Sequence, residues 1–257
     1  MAIIKKEVAT TELHLNLGVL NMKRNKIIEA CGQDKLSEYK QRVAFHEAGH
    51  AAGIHLNNKA RNLPPVFFKI NFKGMNSMGS IDGMVYQSVQ NECVARVEGG
   101  RLIELLPPSI DSLMLGLTER NVGIGQLVTD YMTAFEADII NLLIGPLAEA
   151  RHVAEIDDEP FNHKLVNLEA LKNYGGRSDL ALVNDYLHFF TANKQQKDEK
   201  LAELFTLAFN FINNPAYWSA VAKLAGHVLN SHKNIICCEE IVSILDQSLD
   251  HFQHRRI

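Results

Sequence analysis

The chain has 257 residues, of which 46% are apolar and 22% charged, and its formal net charge is −4. That length and balance suit one or two globular domains with a buried core. They give no global basic excess for nucleic acid, and no window approaches the roughly 18 uninterrupted apolar residues of a transmembrane helix.

The start, Met1-Ala-Ile-Ile-Lys-Lys-Glu, lacks the apolar stretch and cleavage site of a signal peptide. A short helix is expected around Leu20–Ala30, stopped at Gly32. A second helix is expected over Lys35–Leu56, ended by Asn57-Asn58-Lys59. Leu63-Pro64-Pro65 reads as a turn, Val66–Phe72 and Gly79–Gln87 as strands, and Lys73–Met78 as the loop between them. Residues 88–124 carry one glycine pair, Gly99-Gly100, Pro107-Pro108 and short apolar runs, with no single period. Helical spacing returns over Gln126–Val153, where Gly145-Pro146 should interrupt and kink the helix. An acidic loop, Glu155–His163, comes next. Further helices are expected over Lys164–Asn173, Ser178–Phe190, Lys197–Ile212, Tyr217–Leu229 and Cys237–Phe252. The expected fold is mainly α with a small β-sheet, an α+β arrangement. The cysteines Cys31, Cys93, Cys237 and Cys238 form no C-x-x-C pair. The adjacent two read as reduced thiols, which points to a cytoplasmic chain.

The strongest chemical signal is His46-Glu47-Ala48-Gly49-His50, an H-E-x-x-H on a helix. Two residues four apart lie about 40° apart around the helix axis, so both imidazoles can reach one metal ion. Glu47 faces the same opening, where a carboxylate can take a proton from water. The flanking Ala44, Ala48, Ala51, Ala52 and Gly53 are small, as a closely packed site helix requires.

A catalytic zinc site usually has a third protein ligand. The metzincin pattern would need histidine at 56, where this chain has leucine. His55 would point about 180° from His46, and is excluded. Asp179, after Gly175-Gly176, and Glu149, after Gly145-Pro146, are the acidic candidates. Spacing alone leaves the choice open, because Ser178 or Asp179 could equally cap a helix.

Several segments resemble the FtsH-type ATP-dependent zinc metalloproteases. Arg42-Val-Ala-Phe-His-Glu-Ala-Gly-His-Ala is similar to that family's zinc motif. Val66-Phe-Phe-Lys-Ile-Asn-Phe-Lys-Gly and Met78-Gly-Ser resemble its next strand and glycine turn. Leu142-Leu-Ile-Gly-Pro-Leu-Ala-Glu-Ala resembles its Gly-Arg-Ala-Ala-Glu-Glu helix, and Gly175-Gly-Arg-Ser-Asp-Leu its Gly-Ala-Ser-Asn-Asp-Leu segment. Trp218-Ser-Ala-Val-Ala-Lys-Leu-Ala through Glu239-Glu-Ile is similar to its closing helices.

The resemblance implies a zincin-like peptidase domain over residues 38–257, behind an extension of residues 1–37 and with a long insertion at about 88–125. It implies Zn²⁺ held by His46, His50 and Asp179, with Glu47 as the catalytic base and Glu149 in support of the ligands. The substrate would be a peptide or an unfolded protein segment, added along the edge of the sheet at Gly79–Gln87. The chain departs from the family in four places. No G-x-x-x-x-G-K-[ST] phosphate loop occurs, the 88–125 stretch is longer, Pro146 replaces an arginine, and Ser178 replaces an asparagine. The expected activity is therefore an ATP-independent metalloendopeptidase, alone, as a homo-oligomer or beside a separate ATPase. The alternative is a catalytically silent binding or regulatory module of the same fold.

Overall fold

A computed structural model describes residues 35–72, 95–102, 124–190 and 193–254. The expected helix at Leu20–Ala30, the strand at Gly79–Gln87 and most of the 88–125 segment lie outside them. The chain divides into two units, residues 1–40 and 41–257. In the first, residues 35–40 are helical.

In the second unit, helix α1 takes residues 41–52, continued by a π-helical turn Gly53–Asn57 and a last α-turn Asn58–Ala60. The helix does not end at Asn57-Asn58-Lys59 as expected. Both asparagine side chains are buried and bonded to Asn141, so tertiary contacts hold the turn that local propensity would end. The extra residue in a π turn rotates the next turn about the helix axis, and here it brings both amides onto one buried face.

Helix α2, Ile124–Ile156, is the longest at 33 residues and runs through Pro146 without ending. A mid-helix proline forfeits one hydrogen bond and crowds the preceding turn. Here Ile144 and Leu147, on either side, are wholly buried, and that packing carries the helix across. Phe135, Ile139, Leu143 and Leu147 recur at helical spacing and form its core face.

The expected helix over Lys164–Asn173 shrinks to a 3₁₀ turn, Ala170–Asn173. Asn162 Oδ1 accepts from the backbone N–H of Lys164 and Leu165, and Asn167 Oδ1 from that of Ala170. Asparagines that bond nearby backbone in this way favour turns over helix. Helices α3 (Arg177–Phe190), α4 (Lys194–Asn213), α5 (Pro215–Asn230) and α6 (Cys238–His254) complete the helical layer. Among the described residues, no helix is long and apolar enough to cross a membrane. Cys237 and Cys238 are both free thiols.

Strands β1 (Phe68–Phe72), β2 (Ala95–Gly99) and β3 (Ile235–Ile236) form a three-stranded sheet with β1 in the middle. Strand β2 falls in the stretch that showed no clear period. Phe68, Ile70 and Phe72 turn inward while Lys69 and Asn71 turn out, the period of two that a half-buried strand shows. Both pairings are antiparallel, with Ile70 opposite Val97 on one side and Ile236 on the other. Phe72 N–H donates to Asn234 on the β3 side. Alternation along the ladder then turns the Val97 N–H away from β1. That N–H is free to bond a side chain of α1.

Candidate metal centre

His46 and His50 sit on successive turns of α1, and Asp179 lies in the first turn of α3. The structure brings these three together although Asp179 is far away in sequence. His46 Nε2 is 3.1 Å from His50 Nε2 and 3.3 Å from Asp179 Oδ2, and His50 Nε2 is 3.5 Å from Asp179 Oδ1. Donor atoms about 2.0–2.2 Å from a tetrahedral ion stand roughly 3.3–3.6 Å apart. Among the described residues this is the one group of three or more His, Cys, Asp or Glu that could hold a metal.

The second nitrogen of each ring fixes what the first can do. His50 Nδ1 donates to the Asn141 main-chain carbonyl at 2.9 Å. A carbonyl only accepts, so the proton is on Nδ1 and Nε2 presents a lone pair. His46 Nδ1 faces Glu149 Oε2 at 3.1 Å, with the same consequence for the neutral ring. Asp179 Oδ2 is buried and makes no hydrogen bond. Three acceptors thus converge with no donor among them, and either a cation or an added proton must resolve the repulsion. In the metal-free molecule the two carboxylates beside His46 favour its protonated form. Burial opposes its charge, yet the Asp179 and Glu149 carboxylates outweigh burial and hold its pKa well above the usual histidine range. Burial also opposes the charge on Asp179, but His50 and His46 hold its carboxyl far below the ordinary range. The donor set fits a divalent cation with nitrogen and oxygen ligands.

Glu149 belongs behind His46 rather than with the three converging atoms. Arg42 braces its other oxygen at 2.8 Å and also donates to the Asn173 carbonyl. Although burial would raise the Glu149 pKa, His46 and Arg42 hold it below the ordinary value. Glu47 is buried, and burial raises its carboxyl. Its Oε2 accepts the outward Val97 N–H of β2 at 2.6 Å. His55 stands apart, paired with Asp246 at 2.9 Å.

Two glycines make the space. A Cβ at Gly145 would lie 2.3 Å from His50 Nε2, closer than real atoms pack, and one at Gly175 would lie 2.9 Å from His46 Nδ1. Gly175 also has a φ of +70°, a conformation that other residues adopt only with strain. Asn141 and Val97 serve the site through main-chain groups, and a main-chain group leaves no residue signature in the sequence. Arg42 did carry one, since it stands four residues before His46 inside the zinc-like motif.

No protein-family model matches the chain, and no curated protein or solved structure matches it.

Proposed function

We propose that this chain is a zinc metallopeptidase of the FtsH peptidase type, acting on peptides or unfolded protein segments. The observation that carries the reading is the convergence of one ligand atom each from His46, His50 and Asp179, with the buried Glu47 beside them. His46, His50 and Asp179 would hold the zinc. The ion, when bound, supplies Lewis acidity toward a scissile carbonyl and makes water a better acid. Glu47 takes the proton from the attacking water and returns it to the leaving amine. Burial, which raises the Glu47 carboxyl, brings it closer to the neutral range where a base of this kind works well. Glu149 and Arg42 keep His46 in the tautomer that presents Nε2. The motif resemblance, with Asp179 at the position of the family's ligand aspartate, supports the same assignment.

A second reading, a binding module that keeps the site without turnover, has one observation on its side. Glu47 Oε2 is already engaged by the Val97 N–H, so of its two oxygens Oε1 is the one left to take a proton. Glu47→Gln separates the two. It should keep the zinc content of the wild type and lower cleavage of casein by roughly 10²–10⁴-fold, the usual cost of losing a general base. Equal cleavage by both proteins would remove Glu47 from the chemistry. No cleavage by zinc-loaded wild type across a broad peptide library would favour the silent module.

A further inference from the structure

Beyond the ligands, a chain of buried amides meets the back of the site. Arg61 Nε donates to Asn57 Oδ1 at 3.1 Å, Asn57 Nδ2 to Asn141 Oδ1 at 2.9 Å, and Asn141 Nδ2 to Asn58 Oδ1 at 3.1 Å. All three asparagines are buried. The main-chain carbonyl of the same Asn141 receives His50 Nδ1. Three amides in an apolar core are costly unless each is matched, and Asn58 Nδ2 has no partner. Packed apolar side chains often serve a core as well as a buried polar network, so the network invites a reason beyond stability.

The geometry points to a positioning role: the Asn57–Asn141–Asn58 amides clamp the turn of α2 that orients His50 toward the metal. This rests on the metal-site reading above. Two features make a clamp necessary. The helix at 141–146 is weakened where Pro146 supplies no N–H to the Leu142 carbonyl, so its own ladder holds the Asn141 turn loosely. The clamp's other jaw, Asn57 and Asn58, comes after His50 on the same α1 segment, brought round by the π turn. The ligand and the acceptor that orients it are therefore locked to each other across the two helices. Arg61 is bound in turn to Glu136, which Lys200 also contacts, and this carries the network from the core to α4.

The test measures zinc affinity of the folded protein by chelator competition, together with the melting temperature of the metal-free form. Asn57→Ala and Asn58→Ala should each weaken zinc binding by roughly 10–100-fold, the usual cost of losing an outer-shell support. Asn58→Asp keeps the oxygen that accepts from Asn141, so it should hold zinc more tightly than Asn58→Ala although the buried carboxylate lowers its melting temperature. Val221→Ala, a core truncation in α5 with no link to the clamp, should lower the melting temperature and leave affinity unchanged. Asn58→Ser removes the same acceptor with a polar side chain, and serves if the alanine forms do not fold. Alanine variants that melt earlier but bind zinc like wild type would overturn the proposal, as would an equal loss of affinity in Val221→Ala. A wild type that binds no zinc would overturn the metal reading itself and this inference with it.

Discussion

At Gly145 the site depends on the absence of a side chain. In an ordinary helix interior, glycine to alanine stabilises by about 0.4–1 kcal/mol. Here the added methyl would come 2.3 Å from His50 Nε2 and push the ring aside. Gly145→Ala should therefore weaken zinc binding by at least about tenfold, a loss like that of an outer-shell support, while its helix propensity improves. Isothermal titration with zinc checks this, and unchanged affinity would place the His50 ring elsewhere. The glycine was visible in the sequence as part of a kink signal, but its reason was not, because that reason is a ring on another helix. His46, Glu47 and His50 could be read directly, since a spacing of four on one helix fixes their mutual direction. Asp179 could not be read from spacing, because its approach to His50 depends on how α3 packs against α1. Glu149 was legible as a relevant acid, but only the structure shows which nitrogen of His46 it meets.

Among the elements, α4 and α5 are joined through a single residue. Asn214 closes α4 with its N–H on the Asn210 carbonyl. Its side chain also opens α5 by accepting from Ala216 N–H at 2.9 Å, and Pro215 takes the first helical position. Asn214→Ala should cost about 1 kcal/mol, measured as a lower urea midpoint with unchanged slope. No loss would mean that the packing between α4 and α5 sets the corner without the cap. The expected helix ends, Ile212 and Tyr217, fall within two residues of this corner, since a proline at 215 can only begin the next helix. Strand β2 was not legible. Its five residues Ala-Arg-Val-Glu-Gly alternate weakly, and pairing with β1, not its own composition, makes them a strand. The π turn was hidden for a similar reason, since its cause is the burial of Asn57 and Asn58 against Asn141.

Within the 41–257 unit, α6 is tied back to the end of the helical segment that begins with α1. Asp246 of α6 accepts from His55 in the π turn and from Lys59 just beyond it. Burial would raise its carboxyl, but His55 and Lys59 together hold it below the ordinary aspartate value. A carboxylate with a lowered folded pKa adds stability above its unfolded value, and that stability is lost as pH falls through the folded value. Asp246→Asn should therefore be less stable than wild type at neutral pH, and the gap should close on acidification below the usual carboxylate range. Thermal melts at stepped pH check this; a gap that does not change with pH would remove the ion pair as its cause. The effect should be modest, because the Asp246 side chain is 37% exposed and solvent screens the pair.

The same α5 helix offers a built-in optical probe. The sequence holds one tryptophan, Trp218, and it is buried. Its ring lies 5.5 Å from that of Phe45, the residue just before the first histidine, and Arg151 covers it at 4.4 Å. All intrinsic indole emission from this protein therefore comes from one place, where the metal helix meets the C-terminal helices beneath a guanidinium. Any rearrangement that unseats the start of the H-E-x-x-H turn changes the polarity around that ring, so the seating of the helix can be tracked by fluorescence without a label.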